Sequence, residues 1–318
     1  MTDLEASNNT TPNNLAHDNK KLGIALGAGA ARGISHLGVL RGLGEKQIEP
    51  QIIAGASVGA LIGACYAANQ FDEIEDWFKS LNLKRLVGFL DPKLTSRGGL
   101  ADGAQFVSYM KETFGDISFS DLDKKLIVVA TDMTTGREVW IESGSVWEAV
   151  RASMAYPGVI SPVKWDGQYL LDGGLVNPVP VIACRAKGAE RVIAVNLNTE
   201  LLGSKRKMPN EKPDKSGEII EQSLMGRFSE KVMEKVNPLL NKNGKEKMPY
   251  NTVDVLSFAI NIMQDKITRS RLAGEPPDVM LSPRLGHIGM FEVDKFDEIY
   301  QEGSRVTGNV DWQEELSF

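Results

Sequence analysis

Residues 52–71 read IIAGASVGALIGACYAANQF, twenty positions without a formal charge. That is about the length of a bilayer span, but the run is not uniform. It opens on β-branched residues, passes through Gly55-Ala56-Ser57-Val58-Gly59 and closes rich in alanine. A buried strand, a sharp turn and a buried helix account for that order. Upstream, LGIAL at 22–26 leads into GAGAARG at 27–33 and then the helical pattern ISHLGVLRGLGEK, a second strand, loop and helix. Downstream, KLIVVATDM at 125–133 and RVIAVNLN at 191–198 are further buried strands between helical stretches. Strands alternating with helices predict an α/β sheet covered on both faces. No repeat of 20–50 residues points to a solenoid.

The flanks differ in composition. Residues 1–20, MTDLEASNNTTPNNLAHDNK, are polar, lack the apolar stretch of a secretory signal, and are expected to form a disordered tail. The predicted α/β domain spans 22–200. A polar insertion follows at 201–250; its 204–250 stretch holds eleven Lys and Arg against seven Asp and Glu, which a solvated loop explains and which also suits docking to anionic lipid. Residues 251–318 are expected to be a helical extension on the same core, with Leu256, Ile260, Met263 and Ile267 on one helical face packed inward.

The formal charge of −6 argues against a nucleic-acid partner, which would require a basic surface. Two cysteines, Cys65 and Cys184, cannot build a disulfide framework and read as small buried apolar residues of a reducing compartment. The expected location is the cytoplasm. No motif specifies an oligomeric state.

The chemistry begins at Ser57. A serine in a Gly-x-Ser-x-Gly turn between strand and helix has its hydroxyl pushed out of a strained backbone, and Gly55 and Gly59 remove side chains that would crowd it. The loop Gly27 to Gly33 leaves backbone amides bare, as an oxyanion hole demands. A nucleotide-phosphate loop is the competing reading. Glycines at 27, 29 and 33 do not match the dinucleotide pattern, and no P-loop lysine follows.

The serine needs a base. Of three histidines, His17 lies in the tail and His36 in the helix after the glycine loop, which leaves His287 as the triad candidate. Asp172 is the alternative, at the end of Tyr169-Leu170-Leu171-Asp172-Gly173-Gly174; desolvation would raise its pKa toward that of a working base.

Four blocks in order resemble the patatin-like phospholipase family, in particular its small bacterial members. They are Gly27 to Gly33, Gly55 to Gly59, the segment Arg151-Ala152-Ser153-Met154-Ala155-Tyr156-Pro157 through Pro162, and Asp172-Gly173-Gly174. The resemblance covers about residues 22–200. It implies a three-layer α/β/α sandwich with a mixed central sheet, a Ser57–Asp172 dyad without a catalytic histidine, and an oxyanion hole from the amides of Ala28, Gly29 and Ala30. Its implied reaction is hydrolysis of a fatty acyl ester in a phospholipid or lysophospholipid, with no metal or cofactor. Peripheral contact at the inner membrane surface follows only from a lipid substrate. Where the family loop often carries a row of glycines, this chain has Ala28, Ala30 and Ala31, and Arg32 is expected to be structural. The alternative functions are a lipid transacylase and a regulatory or scaffolding protein with this fold and little turnover.

Overall fold

The computed structural model describes residues 21–82, 85, 86, 88, 102–199 and 252–316. The tail at 1–20 and the insertion with its basic excess lie outside them.

The first strands, β1 (Leu22–Leu26) and β2 (Ile52–Ala56), are buried at every position, as strands covered on both faces must be. They pair in parallel, Ile24 opposite Ile53. β3 (Lys125–Asp132) lies parallel on the other side of β2, β7 (Arg191–Val195) parallel on the other side of β1, and β8 (Val279–Leu281) parallel beyond β7. Two strands run the other way at the β3 edge, and a third turns back again. β4 (Glu138–Ile141) and β6 (Gln168–Asp172) both pair antiparallel with β3, and β5 (Val163–Trp165) pairs antiparallel with β6. The sheet is therefore mixed, in the order β5-β6-β3-β2-β1-β7-β8.

Period-2 alternation divides the strand side chains between two cores. Ile24, Leu26 and Ile53 join the larger core, built with helices α1 (Ile34–Glu45), α2 (Val58–Ala67), α3 (Phe71–Ser80), α4 (Ala104–Phe114) and α5 (Val146–Ser153). Ala25, Ile52 and Ala54 face a smaller core under α6 (Val181–Ala186), with Leu272 of α7 (Thr252–Gly274) packed against it. This is the three-layer α/β/α sandwich, with one helical layer much heavier than the other.

The charge-free stretch 52–71 divides into β2, the Ser57 turn and α2, of which every residue except Tyr66 is buried. Among the described residues no helix is long and apolar enough to cross a membrane. Both cysteines are free and buried.

The C-terminal segment differs from expectation in two ways. It is not purely helical, because β8 extends the sheet past residue 200. And α7 does not pack through the four-residue apolar stripe: Ile260 is buried, but Leu256 is 37% and Met263 50% exposed, while Gln264, Asp265 and Thr268 are buried. The reason lies beneath the helix. It crosses the turn at Gly173–Leu175, a backbone-rich surface against which the Gln264 amide packs, so the inward face is partly polar. α8 (Phe296–Gly308) then lies across α1 at backbone distance. A side chain on Gly38 would meet the Tyr300 carbonyl at 2.1 Å, and one on Gly303 would meet the Ser35 carbonyl at 2.1 Å. A short helix, α9 (Trp312–Glu315), closes the chain over the larger core.

Candidate active site

Ser57 sits between the last residue of β2 and the first of α2, with φ 56 and ψ −124. A non-glycine residue there is strained, and such strain persists only where the surroundings enforce it. Close packing does so here: a Cβ on Gly59 would lie 2.1 Å from the Leu26 carbonyl, so α2 rests directly on the end of β1. The Ser57 N–H donates to Ser153 Oγ at 2.8 Å.

Asp172 ends β6. Its strand comes from the opposite direction, so the two chain ends meet across β3: Ala56 pairs with Val129, and Asp172 with the next residue, Ala130. Residues 115 apart in sequence thereby come into direct contact. Ser57 Oγ donates to Asp172 Oδ2 at 2.7 Å. The other carboxylate oxygen caps the turn that follows, accepting the Gly174 N–H at 2.7 Å. Gly173 is required by space, since a Cβ there would stand 2.1 Å from the Val129 carbonyl.

Asp172 is 1% exposed. Burial pushes its pKa up from 3.8 to about 6, against the opposing pull of the Ser57 and Gly174 hydrogen bonds. Near neutral pH the carboxylate is thus ionised, yet far more basic than a solvated aspartate.

The glycine loop leaves β1 and winds through a 3-10 turn at Ala30–Gly33 into α1. The Ala28 N–H, expected among the oxyanion donors, is instead taken by the Pro178 carbonyl at 2.9 Å. That corrects the donor set, because an amide spent on a backbone carbonyl cannot also serve an oxyanion. Ala31 N–H is spent too, on Met290 O at 3.1 Å. Among the described residues, the N–H groups of Gly29 and Ala30 donate to no protein acceptor. Gly29 is needed for space, its Cβ position being 2.6 Å from Leu197 Cδ1. Ala30 holds φ 50, the left-handed region where the family loop's glycine would be unstrained.

Arg32 is buried and turns back on its own loop, its Nε–H donating to Gly29 O at 3.1 Å. Packing ties the loop to the elbow, since a Cβ on Gly33 would fall 2.3 Å from Val58 Cγ1. His36 holds the loop's other end. Its Nε2 is 2.8 Å from the Gly27 carbonyl, which can only accept, so the proton is on Nε2; full burial lowers the pKa to about 4 and keeps the ring neutral. His287 is more than half exposed and pairs with Glu298 at 2.6 Å. Among the described residues, Ser57 therefore meets an aspartate and no imidazole.

Sequence reasoning gave no role to Ser153, Thr131, Pro178 or Met290. Ser153 stood inside a quoted block, but nothing in its residue type or spacing signals a contact with a serine 96 positions away.

A family model described as patatin-like phospholipase matches residues 24–185. An uncharacterized NTE family protein of Mycobacterium tuberculosis (strain ATCC 25618 / H37Rv) is 30% identical over 276 residues, covering 86% of this chain and 76% of the relative. Lysophospholipase nte1 of Aspergillus fumigatus is 29% identical over 288 residues, which are 89% of this chain and 18% of that one. Neuropathy target esterase sws of Drosophila melanogaster is 32% identical over 188 residues, 56% of this chain and 13% of the fly protein. The chain thus spans less than a fifth of the fungal and fly proteins.

Proposed function

The chain belongs to the patatin-like phospholipase family, and on that premise we propose that it is a serine acyl hydrolase acting on fatty acyl esters of phospholipids or lysophospholipids. The observation that carries the proposal is the 2.7 Å hydrogen bond from Ser57 Oγ to a buried aspartate whose pKa is raised to about 6. A hydroxyl in that position has its base already in place.

Asp172 Oδ2 takes the Ser57 proton as Oγ bonds to the ester carbonyl carbon. The carbonyl oxygen becomes the oxyanion, held by the Gly29 and Ala30 N–H groups. Collapse of this tetrahedral species breaks the bond to the alcohol, which leaves with the proton from Asp172. Water then gives a proton to the same carboxylate and attacks acyl-Ser57; the second collapse frees the fatty acid and returns the proton to Oγ. The start of α2 at Val58 adds its dipole in favour of the developing negative charge. Among relatives, the name lysophospholipase supports a lipid substrate with a polar head group.

The test is active-site labelling. A tagged fluorophosphonate is expected to modify Ser57, found by peptide mass spectrometry, and to leave Ser57→Ala unlabelled. Folded wild-type protein that resists the reagent and releases no fatty acid from lysophospholipid would overturn the proposal.

A further inference from the structure

Ser57 and Asp172 are held by the same short segment, the C-terminal end of α5 and the two residues after it. Ser153 is fully buried. Its hydroxyl donates to the Val129 carbonyl at 2.6 Å, which only accepts, and so has lone pairs left for the Ser57 N–H at 2.8 Å. Two residues on, the Ala155 carbonyl accepts the Asp172 N–H at 3.0 Å. β3 repeats the spacing from the other side: Val129 anchors Ser153, and Thr131 Oγ1 donates to the Asp172 carbonyl at 2.7 Å.

We propose that Ser153 is a positioning residue which, with Ala155, fixes the separation of the nucleophile and its base. The inference rests on the acyl-serine reading above. The Ser57 backbone is strained; its carbonyl accepts from the helix it begins, the Ala60 N–H at 2.9 Å and the Leu61 N–H at 3.2 Å, while its N–H is held from a different element without touching the reacting hydroxyl. Removal of the Ser153 hydroxyl leaves both the Ser57 N–H and the Val129 carbonyl without a buried partner, and the elbow relaxes toward ordinary helical dihedrals. Oγ then moves off Oδ2. Displacements of about 1 Å at a reacting centre cost on the order of 100-fold in rate.

The experiment compares Ser153→Ala with Val150→Ala, a truncation of a fully buried apolar side chain one turn earlier in α5 that has no hydrogen-bonding group to offer either catalytic residue. The readouts are thermal stability, fluorophosphonate labelling rate, and kcat, KM and pH profile on a soluble ester. Ser153→Ala is expected to lose about 100-fold in kcat and labelling rate with KM within about twofold, while Val150→Ala loses stability and keeps its kcat within about threefold. The acid limb of kcat/KM for Ser153→Ala also moves to higher pH, because a weakened Ser57 hydrogen bond no longer favours the carboxylate. If Ser153→Ala does not fold, Ser153→Cys carries the same comparison with a weak sulfur acceptor in a similar shape. Equal kcat losses in the two α5 variants, or an unshifted acid limb in the Ser153 variant, would make Ser153 merely structural. Wild-type protein inert to the reagent would instead bring down the acyl-serine reading.

Discussion

Asp172 answers two opposed demands. Catalysis needs a carboxylate basic enough to take a proton from serine; folding gains nothing from a charge buried without a cation beside it. Its folded pKa of about 6 stands above the value of 3.8 expected in the unfolded chain, so the native state binds this proton more tightly. The associated stability is complete below about pH 4, declines as pH rises through 6 and is absent above it. The shift corresponds to roughly 3 kcal/mol at most. Asp172→Asn, which keeps an acceptor for the Gly174 N–H, is therefore expected to be inactive yet more stable than wild type at pH 8 by about 2 kcal/mol. Below pH 4 the two proteins should melt alike. Thermal melts at both pH values check this, and a variant no more stable at pH 8 would refute it. In the wild type, kcat/KM on a soluble ester is expected to fall with unit slope below about pH 6. Ala30 shows the other residue-scale compromise. At φ 50 its Cβ is strained by about 1 kcal/mol or more, so Ala30→Gly should raise stability by about 0.5 kcal/mol after the entropy of the freer unfolded chain is charged. Calorimetry decides it; a lower Tm would mean that the alanine methyl contributes packing that the strain conceals.

At the scale of elements, the strands were legible because a two-sided sheet demands continuous apolar runs, and LGIAL, IIAGA and KLIVVATD supply them. The Gly-x-Ser-x-Gly turn was legible because its flanks announce strand and helix. β6 and β8 were not legible in this way: QYLLD is half exposed, and the three residues of Val279–Leu281 are too few to show a period. The choice between Asp172 and His287 needed the resemblance, since only the antiparallel entry of β6 brings the aspartate to the serine. The inward face of α7 was misjudged because apolar spacing assumes an apolar partner, and this helix lies on a polar turn. The pairing of α1 with α8 leaves a sequence trace in Gly38, Gly42 and Gly303, which look like helix-weakening residues until their near-contact is known. Gly38→Val should cost about 3 kcal/mol by driving its side chain into the Tyr300 backbone. Urea unfolding measures this, and a loss no larger than helix propensity explains would show that α8 can shift to make room.

For the whole molecule, the packed core reaches beyond the stretch matched by the family model. That match ends at residue 185, yet β8 completes the sheet, α8 packs on α1, and the Met290 carbonyl holds Ala31 beside the proposed oxyanion amides. A chain ending at residue 250 is thus expected to lack a cooperative thermal transition and to resist fluorophosphonate. A truncated protein that melts sharply and labels at the wild-type rate would show the last segment to be dispensable. The hydrogen bonds at the centre also carry a signature in isotope exchange. The Ser57 and Asp172 amides are tied to Ser153 Oγ and the Ala155 carbonyl inside the core, so their protons should trade for deuterium only when the entire domain opens. Those of Gly29 and Ala30, which have no protein acceptor among the described residues, should trade far sooner. Deuterium would thus mark two clocks within one catalytic centre, slow where the reacting pair is clamped and fast where a ligand is to be received.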